Sequence, residues 1–474
     1  MSLKHLFVDL NAYFASVEQQ LQPWLRGKPV AVAPLHGPSA CCIAVSYEAK
    51  RLGVKTGMTV GEASLICPGL EVTPARPEEY VRFHHAILSA VDTVLPVDRV
   101  FSIDEFSCRL MRGEREPAQA ERVAMKVKGA IRSQVGERLT CSVGVAPNRF
   151  LAKVATDMMK PDGLVILQKH ELPAKLYPLA LIDLAGIGPK MNARLNAQGV
   201  HTVEQLCARD EREMQALWSS ILGQRWYHWL RGEELDEFPT KKRSIGHQHV
   251  LGPEHRDPAL ARGVAMRLLH KAAARARHLG YLPQAMTLRV HLEEPREYWN
   301  GRGPAKRPTT WGGWGAMSWH QTVHLPGGVG DTLTLVDHLA SLWARSPAMT
   351  GPADQTRPPG PERVDGYPVR RRDDAGNRSA GRGGAPGVRG ARVKFVDVTL
   401  HDLLAVKAAT MPLFEQERHR VALAKAMDEV NRKHGKNTVY AASMHEARNA
   451  AKGGIAFSSV PDPTLIDSVE NRMR

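Results

Sequence analysis

The sequence predicts an α+β multidomain chain, and three observations carry that prediction. Strand and helix patterns alternate through its first third. Breaks in composition cut the rest into blocks, and the basic excess gathers in one of them. A chain of 474 residues has room for roughly two to four domains. Apolar residues make up 43%, enough for several cores.

The elements follow in order. His5–Asp9 is a short apolar strand ending in a carboxylate. Pro77–Leu95 carries a helical period with proline at its start. Arg99–Ser102 and Phe106–Leu110 read as strands around Asp104 and Glu105. Pro117–Gln134 is helical, Leu139–Val145 is a strand, and a helix runs from Asn148 to about Met159. This βαββαβ-like order packs helices on one sheet. Pro161-Asp162-Gly163 is a turn, and Phe238–Arg243 is a polar, basic link. Residues 346–392 hold seven Pro, nine Gly and nine Arg, a composition that cannot form a packed core. Val393–Leu400 alternates as a strand. Glu415–His434 reads as an amphipathic helix, with Val421, Leu423, Ala424, Met427 and Val430 available for a buried stripe.

Charge and cysteine usage narrow the function classes. Lys and Arg number 64 against 49 Asp and Glu, a net charge of +15. Residues 239–345 alone carry 15 basic and 7 acidic side chains. A solvated basic surface and a phosphate-tracking surface both fit that excess. No stretch approaches the roughly 18 apolar residues of a membrane span. The apolar run near the N-terminus is too short for a signal peptide. Six scattered cysteines without a CxxC pair argue against an ordinary zinc site or a disulfide framework. The expectation is a cytoplasmic protein that does not enter membranes.

Two acidic points stand out, Asp9 after HLFV and Asp104-Glu105 within VFSIDEFS. Strands deplete Asp, yet Asp is common at strand exits and hairpin tips, so either point alone also reads as a turn. Neighbouring strands lie about 4.8 Å apart, so pairing would make three carboxylates converge. Divalent cations resolve such repulsion, and two ions can clamp an in-line phosphoryl transfer. The residues themselves reach a two-metal phosphoryl-transfer site and no further.

Five blocks occur in sequence: FVDLNAYFASVE (Phe7–Glu18), SYEAKRLGVKTGM (Ser46–Met58), FSIDE (Phe101–Glu105), SVGVAPNRFLAKVATDMMKPDG (Ser142–Gly163) and LAGIGPKMNARL (Leu184–Leu195). Together they resemble the Y-family translesion DNA polymerases of the polymerase IV and V group. The resemblance implies a right-hand polymerase with a ferredoxin-like palm, small fingers, a helical thumb with a helix-hairpin-helix, and an α/β little finger domain. It implies a palm over 1–168 with fingers inserted at about 20–76, and a thumb over 169–238. A linker at 239–244 then leads to a little finger over 245–345 plus 391–408. Residues 346–390 would be a disordered insertion and 409–474 a C-terminal tail.

The same resemblance implies two Mg²⁺ ions on Asp9, Asp104 and Glu105, with the backbone carbonyl of Leu10 assisting. Phe14 takes the position of an aromatic steric gate against ribose. Tyr47, Lys50, Arg51 and Lys160 fall near the triphosphate contacts. Either Lys50 or Arg51 fills the position of the usual arginine, and Lys offers a point charge rather than a fork. The implied partners are primer-template DNA and deoxynucleoside triphosphates. Gly186-Ile187-Gly188 would grip DNA phosphates through the thumb. Asn11 and Phe106 depart from the usual family residues. Thr410–Phe414 (TMPLF) ends in the Leu-Phe pair of sliding-clamp peptides but lacks the leading Gln, and a helix lead-in reads these residues equally well. The implied activity is low-fidelity DNA synthesis opposite damaged template. A non-catalytic accessory of the same fold and a nucleotide cyclase-like palm are the alternatives. The retained acids argue against the first, and the basic second half against the second.

Overall fold

A computed structural model describes residues 3–34, 37–38, 40–236, 242–293, 318–350, 392–410, 414–435, 438–445 and 447. The described residues fall into two compact units, 3–236 and 242–447.

The first unit contains strands β1 (His5–Leu10), β2 (Val30–Ala33), β3 (Ala44–Val45), β4 (Glu71–Pro74), β5 (Val97–Val100), β6 (Glu105–Arg109), β7 (Cys141–Ala146) and β8 (Leu164–Ile166). Its main helices are α1 (Tyr13–Leu21), α2 (Tyr47–Arg51), α3 (Val60–Ile66), α4 (Pro77–Asp92), α5 (Pro117–Gln134) and α6 (Arg149–Met158). After these come α7 (Pro189–Ala197), α8 (Val203–Cys207), α9 (Glu211–Trp218) and α10 (Ile221–Leu230).

The main sheet runs β5-β6-β1-β7-β8, with β1 at its centre and antiparallel to both neighbours. Leu6, Val8 and Leu10 of β1 share a core with Tyr80, Ile87 and Val91 of α4 and with Ala124, Val127 and Ile131 of α5. Phe7 points into a second core, with Leu151 and Val154 of α6. That core continues through an aromatic cluster in which Phe150 meets Trp226 at 4.7 Å and Trp218 meets Trp226 at 5.0 Å. A small separate sheet, β3-β2-β4, has its own core around Ala31, Cys42, Ala49, Val54 and Ala63. Cys42 is buried there, outside any strand, and Cys41 makes only an isolated bridge to Thr59.

The second unit has β9 (Ser244–Val250), β10 (Tyr281–Leu292), β11 (Ser318–His324) and β12 (Val393–Ala405), with α11 (Pro258–His278), α12 (Thr332–Ala344), α13 (Pro347–Thr350) and α14 (Glu415–His434). The strands form an antiparallel sheet in the order β11-β10-β12-β9. One sheet face, from Met286, Leu288, Val396 and Val398, packs on Val264, Leu268 and Ala272 of α11 and on Leu335 and Leu339 of α12.

Several boundaries move from their expected places. β9 starts at Ser244, inside the expected linker, because Ile245 faces the core and its backbone pairs with Leu400. α13 occupies the start of the expected insertion, where Ala348 reaches the same core. Residues 351–391, most of that insertion, lie outside the described residues. α14 spans the expected range, but its stripe is narrower. Only Ala424 is buried, and Leu423 is 50% exposed. The helix is held instead by ions, with the Arg277 guanidinium forked onto Asp428 at 2.6 and 2.9 Å. Among the described residues no helix is long and apolar enough to cross a membrane.

Candidate active site

The alternation of β1 sends His5, Phe7 and Asp9 to the face opposite Leu6 and Val8. β6 follows in register, with Asp9 opposite Glu105, Phe7 opposite Ser107 and His5 opposite Arg109. Two carboxylates remote in sequence thus sit on neighbouring central strands. Phe106 falls on the other face, fully buried opposite Val8.

Helix α6 covers the acidic face. A Cβ on Gly144 of β7 would stand 2.0 Å from the Ala152 carbonyl oxygen, so this close approach needs glycine. From α6, Lys153 Nζ reaches Asp9 Oδ2 at 2.6 Å, Glu105 Oε1 at 2.9 Å and Asp157 Oδ2 at 3.1 Å. Lys160, just beyond the helix, lies 2.8 Å from Asp9 Oδ2 and 2.7 Å from Asp157 Oδ1. The Asn11 side chain fastens this arrangement. Its Oδ1 accepts from the Asp162 backbone N–H at 2.7 Å, and its Nδ2 donates to Ser142 Oγ at 3.1 Å. The amide at this position therefore ties the Lys160 turn to the end of β1.

The electrostatics are unbalanced. Burial pushes the Asp104 carboxyl up, and the charge of Asp9 pushes it further against a hydrogen bond from Ser102. Burial also pushes Glu105 up, more than Lys153 draws it down. Burial opposes the Asp9 charge too, but Lys153 and Lys160 together hold that carboxyl below its usual range. Burial disfavours both ammonium ions, yet the surrounding acids hold them above the ordinary lysine value.

The remaining predicted residues fall around this centre. The Leu10 N–H donates to the Asp104 carbonyl at 2.8 Å. Ala12, at φ 46°, turns the chain from β1 into α1 and so places Phe14, which is 4% exposed. Tyr47 opens α2, and the Lys50 ammonium sits 4.4 Å from its ring centre. Desolvation lowers the Lys50 pKa and the Lys160 charge lowers it further, so these two cations face one region. Arg51 is exposed at the last position of α2.

Lys153 and Asp157 are the residues that sequence reasoning missed. Their signal is an i, i+4 charged pair on α6, which reads from sequence as a solvated face. Among the described residues no three His, Cys, Asp or Glu side chains stand together as a ready metal cluster. The donor set nevertheless suits a hard divalent cation. It offers carboxylate oxygens, two of them raised by burial, and it already draws in an ammonium ion. Further along, Gly186 takes φ 102° and Gly188 caps the start of α7, leaving backbone N–H groups at that helix end.

A model of the impB/mucB/samB family matches residues 8–157, the span from β1 to α6. DNA polymerase IV of Moorella thermoacetica is 38% identical over 313 residues, covering 63% of this chain and 74% of that protein. The chain belongs to the Y-family of translesion DNA polymerases. This polymerase is also 31% identical to DNA polymerase IV of Xanthomonas axonopodis, covering 65% of this chain and 85% of that protein. Its fold is similar to that of a Y-family DNA polymerase chimera of Dbh and Dpo4, with a TM-score of 0.59 and 22% identity over 85% of this chain and 99% of that one. The protein is therefore an enzyme, a DNA-directed DNA polymerase of the translesion type. Template-directed synthesis entails DNA and deoxynucleoside triphosphates as partners, and a divalent metal.

Proposed function

We propose that the enzyme extends a primer 3′ end by two-metal phosphoryl transfer, with Asp9, Asp104, Glu105 and the Leu10 carbonyl holding two Mg²⁺ ions. The observation that carries this reading is the cross-strand pair Asp9 and Glu105 sharing the single ammonium of Lys153. Bound there, the ions supply Lewis acidity toward the primer hydroxyl and the leaving pyrophosphate. The side chains supply the rest. Lys160 and Lys50 neutralise the incoming triphosphate, with the Tyr47 ring holding the Lys50 ammonium. Lys50 rather than Arg51 takes this role, because its charge interacts with Lys160 and Asp9. Phe14 excludes the ribose 2′-hydroxyl.

The first unit supplies palm (1–168), fingers (about 20–76) and thumb (169–238) in this reading, and the second supplies the little finger. The sliding clamp is a proposed further partner through Thr410–Phe414. Residues 411–413 lie outside the described residues, while Phe414 is 66% exposed and supports the idea. A clamp pull-down unchanged by Leu413→Ala with Phe414→Ala would remove that partner.

The deciding experiment is extension of a primed template with Mg²⁺ and four deoxynucleotides, beside an Asp104→Ala, Glu105→Ala double variant. Extension by the wild type alone supports the two-metal reading. Equal extension by both would sink it.

A further inference from the structure

Helix α1 carries a carboxylate that the site described above does not use. Glu18 is 0% exposed, yet it is ionisable and faces protein on every side. A buried carboxylate needs partners, and Glu18 has a dense set. The Arg76 guanidinium forks onto it, with Nε 3.1 Å from both carboxylate oxygens and a shorter contact from Nη2. The Gln22 amide donates to Oε2 at 2.7 Å. The Tyr80 hydroxyl donates to Oε1 at 2.7 Å.

The Tyr80 ring is the link to chemistry. It stacks on the Phe14 ring with centres 4.4 Å apart and planes 14° from parallel. Phe14 and Glu18 are four residues apart on α1 and so share one face of that helix. Phe14, Glu18 and Tyr80 therefore close a loop of two contacts and one rigid helix segment. The Tyr13 hydroxyl, donating to the Tyr80 carbonyl, fastens the same residue from its backbone side. A stacked ring slides easily along its partner unless its far end is held, and the Glu18 carboxylate holds that end.

A buried ion pair is weak evidence for stability, because desolvation offsets most of its attraction. Its better-attested use is to fix one arrangement among several. We propose that Glu18, paired with and oriented by Arg76, is a positioning residue that locks the Tyr80 ring against Phe14 and thereby sets the enzyme's preference for deoxyribonucleotides over ribonucleotides. This inference rests on the gate reading of Phe14.

The test is single-nucleotide insertion kinetics with a deoxynucleotide and its ribonucleotide counterpart, on the full-length chain. Tyr80→Phe keeps the stacked ring and removes only the hydroxyl tie. Glu18→Gln keeps an acceptor for Tyr80 and removes the charge that orients it on Arg76. Each is expected to lower the ratio of kcat/KM values by about fivefold to tenfold, with deoxynucleotide insertion within about twofold of wild type. In a Phe14→Val background Tyr80→Phe should lower the ratio no further, because its effect passes through Phe14. A ratio unchanged by Tyr80→Phe, while Phe14→Val collapses it, overturns the role of Glu18 and leaves the gate intact. An equal further fall in the Phe14→Val background also overturns it. A ratio unchanged by Phe14→Val refutes the gate reading itself, and this inference with it.

Discussion

The two ends of the β1–β6 pair carry opposite charge arrangements on the same sheet face. At one end Asp9, Glu105 and Asp157 surround two ammonium ions, Lys153 and Lys160, while the nearby Asp104 accepts a hydrogen bond from Ser102. At the other, Lys4, His5 and Arg109 converge on one carboxylate, Glu234, at 2.7 to 3.0 Å. The titration of the carboxyls differs accordingly. Burial pushes Glu105 and Asp104 up. Burial acts upward on Glu234 too, but Lys4, His5 and Arg109 outweigh it and draw that carboxyl down to about 2. One pair of strands thus holds an acidic excess that calls for cations and a saturated carboxylate that calls for nothing. Local satisfaction of charge, rather than the presence of charge, separates the candidate site from the opposite end.

The comparison can be broken in four ways. The largest effect is expected from Glu105→Gln. Primer extension should fall by at least about a thousandfold, as for a group that acts on charge developing in the transition state. Its melting temperature should hold or rise, because one of the crowded acids is gone. A large loss of stability would show that the acid end is structural after all.

Lys153→Met comes next. It removes the cation shared by three carboxylates and should cost about 3 kcal/mol in metal-free buffer. Millimolar Mg²⁺ should restore much of that loss, read as a melting shift without any turnover. A variant that melts alike with and without Mg²⁺ would remove the idea that the acids seek a cation.

Glu234→Gln should cost about 1 to 2 kcal/mol and leave primer extension nearly intact. Its pH dependence has a definite sign. The folded pKa lies below the ordinary glutamate value of 4.5, so the stabilisation is complete above about pH 4.5 and is lost as pH falls toward about 2. Urea melts should show the wild type losing its advantage over Glu234→Gln across that window. A constant gap between the two would contradict the assignment. The smallest effect belongs to Arg109→Ala, whose half-exposed guanidinium should contribute at most about 0.5 kcal/mol, checked by the same melts.

Much of the architecture was legible from pattern. Pro117–Gln134 and Glu415–His434 are helices over the ranges their periodicity predicts, and Pro77 starts its helix as expected. β6 begins at Glu105, whereas β1 runs one residue past Asp9, to Leu10. The small β3-β2-β4 sheet was not legible, since its strands are two to four residues long and carry no readable alternation. The stripe of α14 was overread. Leu423 sits next to Ala424, and adjacent helix positions diverge by about 100°, so the two cannot share one buried line.

The candidate site divides the same way. Asp9, Asp104 and Glu105 were visible because two acidic points on strands that could pair say more than either alone, which reads as a turn. Lys153 and Asp157 were invisible because a charged i, i+4 pair is ordinary on any exposed helix. Only the packing of α6 over β1, permitted at Gly144, turned that pair inward. Glu18 shows the limit most plainly. Its type and its place on α1 follow from sequence, while its burial depends on Arg76 and Tyr80 arriving from a distant segment. Local rules set which residues alternate, where helices start and which groups carry charge, because those depend on neighbours along the chain. Which charges are desolvated, and which partner answers each, was decided by contacts between segments far apart in sequence, because burial is a property of the assembled fold.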